Sequence, residues 1–207
     1  MRIIVFGPTG GTGQQIVSQA LDAGLEVTAF ARDPATVPAR RGLTVVKGSP
    51  LDATAVQSAI AHHHAVLSAL GGRPWRSLPI CSTAMRNITA AMQQHRVRRI
   101  VAISTFGAGE TRPHVGWLTR HLLFGLVLRG EVADKEAMEE HLAATDLQWV
   151  AVRVGLLTDG APRNAWRAAD DGSIRGMGKI ARADVAAFML AQLRGNEWLR
   201  RRPALMD

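Results

Sequence analysis

The sequence predicts an α/β fold: a Rossmann-like, doubly wound parallel sheet with helices on both faces. Three observations predict it. Apolar runs of strand length alternate with longer stretches of helical period. Most of the runs are continuous Val, Ile, Leu and Ala, as suits strands covered on both faces. The first run, Ile3-Ile4-Val5-Phe6, leads straight into a glycine-rich turn and then a helical stretch.

Taken in order, strands are expected at 2–6, 26–31, 43–47, 65–70, 99–104 and 148–154, and helices at 14–23, 52–62, 77–95, 132–145 and 183–193. Gly24 stands where a helix C-terminal cap belongs, and Asp52 where an N-cap belongs. No period repeats and no long linker divides the chain, so 1–207 reads as one domain. Two segments, 106–130 and 155–180, interrupt the alternation. Both follow strand C-terminal ends, the edge at which open α/β sheets bind ligands.

The 207 residues carry 25 Lys+Arg against 17 Asp+Glu, a net charge of +8, with 47% hydrophobic and 20% charged residues. That balance excludes global disorder. The arginines are scattered (Arg40-Arg41, Arg98-Arg99, Arg200 to Arg202) rather than gathered on a basic helix, which argues against a nucleic-acid partner. No apolar run reaches the roughly 18 residues of a membrane span, and the single cysteine, Cys81, cannot form an internal disulfide. A cytoplasmic protein acting on a small molecule, as a monomer or homodimer, is the expectation. Tyrosine is absent, so no mechanism can use a phenol as acid.

Gly7-Pro8-Thr9-Gly10-Gly11-Thr12-Gly13 carries most of the information. Gly7 permits the tight turn, Gly10 lets backbone approach a pyrophosphate, and Gly13 lets helix and sheet pack closely. The free N–H groups of the following helix, together with Thr9, Gly11 and Thr12, then face the phosphates. A plain glycine-rich turn is the bland reading; its place between a buried strand and a helix favours a dinucleotide site. At the end of the second strand, Arg32 stands where an acidic residue would bind a ribose hydroxyl. A guanidinium there pairs with a 2′-phosphate, so NADP (NADPH) is the expected cofactor. Asp33 reads as a helix N-cap.

These residues resemble the atypical short-chain dehydrogenase/reductases, in the group with NmrA-like NAD(P)H-binding proteins and biliverdin-IXβ (flavin) reductase. Further similarity lies in Leu70-Gly71-Gly72-Arg73, Arg86-Asn87-Ile88, Val101 to Gly107, Asp134-Lys135 with Glu139 or Glu140, Leu147 to Arg153, and Ala183-Asp184-Val185-Ala186. The resemblance implies a cofactor flanked by Ala69, Leu70, Gly71 and Arg73, and a nicotinamide over Ser104 and Thr105. It also implies that Lys135 sits near the nicotinamide ribose. Catalytic candidates are therefore Ser104, Thr105 and Lys135; the bland readings are strand-end hydroxyls bonded to backbone and a surface lysine.

Two departures stand out. The superfamily's proton-donating Tyr four residues before the Lys is replaced by Glu131, and Ser49-Pro50 stand where relatives commonly carry Asp near the adenine. Hydride delivery to a flavin-like or quinone-like acceptor needs less from the protein than carbonyl chemistry, and becomes the expected activity. The alternative is a non-catalytic NADP(H)-sensing regulator; a transient-NAD epimerase is disfavoured by Arg32 and the missing Tyr.

Smaller signals are read blandly. His62-His63-His64 reads as a polar helix end, because consecutive helical residues share no face on which to bind a metal. The apolar stretch 116–129, with Trp117, Leu122 and Phe124, is either a lid met by Trp166 or a packed helix.

Overall fold

The computed structural model describes residues 1–71, 79–115 and 129–207. Strands β1 (Arg2–Phe6), β2 (Glu26–Ala31), β3 (Leu43–Lys47), β4 (Ala65–Ser68), β5 (Arg99–Thr105) and β6 (Gln148–Val154) form from the apolar runs. Helices α1 (Gly11–Asp22), α2 (Ala53–Ile60), α3 (Ile80–Gln94), α4 (Arg129–Ala143) and α5 (Arg182–Ala191) form from the stretches of helical period. Four three-residue strands, β7 (Leu156–Thr158), β8 (Arg167–Ala169), β9 (Lys179–Ala181) and β10 (Ala204–Met206), fall where the sequence showed no period. Three residues are too few to display one.

The main sheet runs β3-β2-β1-β4-β5-β6-β10-β8, parallel except for β8, which pairs antiparallel with β10 at the edge; β7 and β9 pair separately. The doubly wound expectation holds. Alternate residues feed two layers. Ile3, Val5, Val101, Ile103, Val150 and Val152 pack against α1 and α5 through Ile16, Val17, Val185 and Phe188. Ile4, Phe6, Ile100, Ala102, Trp149 and Ala151 pack against α2, α3 and α4 through Val56, Ile60, Met85, Ile88, Met138 and Leu142. Each of the Val, Ile, Leu, Met and Phe side chains contributes about 1.5–3 kcal/mol on burial, which sets the strand register against slippage.

The helix ends are chemically defined. Leu25 N–H bonds Ala20 C=O and Gly24 N–H bonds Leu21 C=O, with Gly24 at φ +73°, a Schellman close to α1. Asp52 Oδ1 accepts from Thr54 and Ala55 N–H and opens α2. Helix α1 starts at Gly11, three residues before the expected start, so the last three residues of the glycine-rich segment are helical. β4 ends at Ser68 rather than residue 70, which leaves Ala69 and Leu70 outside the sheet at its C-terminal edge.

Candidate functional site

The strand order reverses direction between β1 and β4, and at such a switch point the two flanking loops diverge and leave a crevice. A groove of about 320 Å³ occupies it. Its walls come from four consecutive strand ends: Gly7 to Gly10 after β1, Phe30 to Arg32 at the end of β2, Ser49 to Leu51 after β3, and Ala69 to Gly71 after β4, with Ile80 of α3. Of the residues expected to hold a cofactor, the groove thus gathers Gly7, Thr9, Gly10, Arg32, Ala69, Leu70 and Gly71. Gly11, Thr12 and Gly13 stand behind it in the first turn of α1, and Arg73 lies outside the described residues.

The glycines divide by what surrounds them. Gly7 has φ +77°, and a Cβ there would lie 2.8 Å from Ala69 O. A Cβ on Gly13 would collide with the Gly7 carbonyl, so this glycine sets how closely α1 meets β1. Gly10 differs, for a Cβ would meet only Gly7 O, at 3.7 Å. The fold does not demand a glycine at that position, which lines the groove. Helix α1 has no side-chain cap and no acidic residue in its first turn, so its N–H groups remain directed at the crevice. An uncapped helix start beside a glycine cradle fits a diphosphate.

Arg32 is exposed on the rim at the end of β2. Asp33 turns away from the groove's chemistry, its Oδ1 accepting Ala35 N–H as the cap of a short 3-10 turn, Pro34–Thr36. At the opposite wall, Ser49 Oγ accepts Leu51 N–H, and the Pro50 carbonyl is taken by Asn87 Nδ2. Phe30, tilted against Phe6 at 5.0 Å, forms the apolar floor.

Lys135 lies deeper, 4% exposed, with Nζ donating to Leu70 O at 2.7 Å and Ile103 O at 2.8 Å. Leu70 lies two residues past the end of β4 and Ile103 near the end of β5, so the ammonium ties the segment leaving β4 to β5 beside the groove. It takes part in no ion pair among the described residues. The preceding residue, Asp134, is also buried, and its carboxylate accepts Cys81 N–H at 2.7 Å and Ser82 N–H at 2.9 Å. It thereby caps α3, whose own cap residue is Pro79. Burial pushes the Cys81 thiol up, against the pull of Lys135, and its Sγ rests on the same Leu70 carbonyl.

One turn on, Glu139 anchors a cluster that sequence reading missed. Ser104 and Arg153 are register partners on β5 and β6 and so share a face. Ser104 Oγ donates to Glu139 Oε1 at 2.5 Å, and Arg153 binds Glu139 through Nε at 3.0 Å and Nη2 at 2.6 Å. Glu110 and Arg202 complete the group at 2.9 and 3.2 Å. Burial opposes the Arg153 charge, but its bonds to Glu139 and Glu110 prevail and hold its proton more firmly than usual. Thus Ser104, expected at the reacting end, spends its proton on Glu139. Thr105, the next residue, falls on the other face of the pleat, its hydroxyl on Phe106 O at 3.3 Å. A charged residue inside the apolar run Trp149 to Val154 was the available signal for this cluster.

Asp184 was named only as part of a motif. It is fully buried and accepts the backbone N–H groups of Arg163 and Asn164, tying the segment after β7 to α5. Among the histidines, His63 Nε2 meets Thr28 Oγ1 and His64 Nδ1 accepts Arg2 N–H, while His62 adopts φ 66° past the end of α2. Among the described residues no cluster suits a metal ion. Trp166 packs edge-on against Phe188 of α5 at 6.1 Å. Trp117, Leu122 and Phe124 lie outside the described residues. No helix among the described residues is long and apolar enough to cross a membrane.

Comparison with known proteins agrees with this geometry. The NAD(P)H-binding family pattern matches residues 7–196. A 3-beta-hydroxysteroid dehydrogenase of Mycolicibacterium neoaurum is 31% identical over 112 residues, 48% of this chain and 31% of that protein. The photosystem II assembly factor Ycf39 of Synechocystis is 31% identical over 115 residues, 53% of this chain and 35% of that protein. The chain spans about a third of the length of these curated relatives. Among solved structures, the anaerobilin reductase ChuY of Escherichia coli superposes with a TM-score of 0.85 at 23% identity, over 100% of this chain and 97% of that one. A short-chain dehydrogenase/reductase of Veillonella parvula in complex with NADP gives 0.83 at 15% identity, over 100% and 94%. Those two likenesses are of fold. With the pattern running from the first glycine of the cradle to beyond α5, the chain belongs to the NAD(P)H-binding family.

Proposed function

We propose that the protein is an NADPH-dependent reductase that passes hydride to a small conjugated acceptor such as a flavin, a quinone or a linear tetrapyrrole. The observation that carries this reading is the groove itself. It joins an uncapped helix start and a glycine cradle to a rim arginine at one end and the Lys135-bound strand exits at the other. NADPH, when bound, supplies the hydride from C4 of its nicotinamide. The N–H groups of Gly11, Thr12 and Gly13, with Thr9 and Gly10, hold the diphosphate, and Arg32 holds the 2′-phosphate. Ala69, Leu70, Gly71 and Arg73 flank the cofactor.

Lys135 keeps the exits of β4 and β5 at fixed separation and stands as the cation nearest the reacting end. Thr105 is the hydroxyl donor there. Ser104 acts one step removed, fixing α4 through Glu139 so that Lys135, one turn before it, keeps its place. With no tyrosine in the chain, the proton comes from solvent or the acceptor itself, which conjugated acceptors permit. A cytoplasmic location and action as a single domain go with this reading.

The names of the structural neighbours support the reading, since one reduces an anaerobilin and another holds NADP. A second reading, a sensor that reports NADP(H) occupancy to a partner protein, is favoured by the same missing tyrosine and by Lys135 already spending two donors on backbone carbonyls. Oxidation of NADPH, followed by its absorbance, is to be measured with FMN, riboflavin, quinones and a bilin, with NADH as control. Turnover with any of them establishes the reductase; tight NADPH binding with no turnover across the panel overturns it in favour of the sensor.

A further inference from the structure

Arg182, the first residue of α5, does not belong to the glycine-rich segment or to the groove walls, yet its side chain crosses the start of α1. A Cβ on Gly11 would lie 2.6 Å from Arg182 Cδ and 2.7 Å from its Nε, so the arginine stem lies directly against the Gly11 backbone. Gly11 is the first residue of α1, and that helix start has no side-chain cap and no acidic residue. A helix N-terminus carries roughly half a positive charge and is stabilised by anions, so a guanidinium is the wrong sign for this place unless an anion joins it. The anion present is Asp159, whose Oδ1 accepts Arg182 Nη1 at 2.7 Å and whose carboxylate is 87% exposed. The Arg182 side chain is 27% exposed, but its partner carboxylate stands in water, and an ion pair screened in this way is worth about 0–1 kcal/mol and is readily exchanged.

We propose that Arg182 is a positioning residue for the dinucleotide's diphosphate, exchanging Asp159 for it when cofactor binds. The guanidinium offers several donors in a planar fork, only one of which Asp159 takes, and a diphosphate presents two charges to it. Asp159 belongs to the segment after β7 that Asp184 ties to α5 through Arg163 and Asn164. Release of Asp159 therefore loosens this segment when the cradle fills and restores its pairing when the cradle empties. The inference rests on the dinucleotide reading and adds to it a residue outside the glycine motif.

The test is equilibrium binding, independent of turnover. Dissociation constants are measured for NADPH, for ADP-ribose, which has the diphosphate but no 2′-phosphate, and for adenosine 2′-monophosphate, which has the reverse. Arg182→Met keeps an apolar stem over Gly11 and removes the charge. It is expected to weaken NADPH and ADP-ribose about tenfold, the value of one charge-assisted hydrogen bond partly screened by water, and to leave adenosine 2′-monophosphate within about twofold. Arg182→Lys recovers part of the loss. Asp159→Asn, which removes the competitor, tightens NADPH and ADP-ribose by about threefold. Equal affinity of wild type and Arg182→Met for NADPH, or an equal loss for all three ligands, overturns the assignment; weaker binding by Asp159→Asn overturns the exchange. Failure of the wild type itself to bind NADPH would instead refute the dinucleotide reading.

Discussion

Replacing Asp134 by alanine tests whether one buried carboxylate holds up the α3 wall of the groove. Its two oxygens accept Cys81 and Ser82 N–H at 2.7 and 2.9 Å, it is 6% exposed, and α3 has no cap of its own. Alanine strands two backbone N–H groups at about 1–2 kcal/mol each and forfeits the favourable charge at the helix start, about 0.3–1 kcal/mol. Relief from burying an ionised group offsets part of this, so the net loss is about 3 kcal/mol. For a chain of this size that lowers the unfolding midpoint by about 6–12 °C. Asp134→Asn keeps one acceptor oxygen and loses about half as much. The assay is urea unfolding followed by circular dichroism, in which the midpoint falls without a change in slope. A loss below about 1 kcal/mol for Asp134→Ala would refute the capping argument.

The two helical-side glycines should separate fold from binding. Gly13→Ala drives a Cβ into the Gly7 backbone and is expected to destabilise by about 3 kcal/mol or more, whereas Gly10→Ala leaves the unfolding midpoint within a few degrees and weakens NADPH by at least about tenfold. Thermal scans with cofactor titration check both. Glu131, one turn before Lys135, has its carboxyl pushed up by burial, with Asp134 adding to this and Lys135 opposing it. Because the folded chain holds this proton to higher pH than the unfolded chain does, its stabilising share is complete below the unfolded value of about 4.3. That share is lost as pH rises through the folded value. Glu131→Gln should therefore be more stable than wild type near neutral pH and gain nothing at acid pH, as read from urea midpoints at both.

The sheet was legible because both-sided burial leaves unbroken apolar runs, and β1 followed by Gly7 to Gly13 announced the crevice. The place of Arg32 on the groove rim was legible because it depends only on position along the chain, one residue past β2. What escaped depends on contacts across the chain. Glu139, Arg153 and Ser104 meet only when β5, β6 and α4 pack, and Arg182 reaches Gly11 over a separation of 171 positions (182 − 11) that no local pattern encodes. Asp134 resembled one member of an active-site helix, and the structure gives it to α3 instead. β7 to β10 escaped for lack of length.

If Arg32, on the rim of the groove, selects a 2′-phosphate, the cofactor preference must depend on it. The most direct test is the pair of dissociation constants for NADPH and NADH, in wild type and in Arg32→Ala. NADPH is expected to bind at least about tenfold more tightly than NADH to the wild type, with the preference abolished in Arg32→Ala through weaker NADPH and unchanged NADH. NADH bound as tightly as NADPH, or both weakened alike by the substitution, would contradict it.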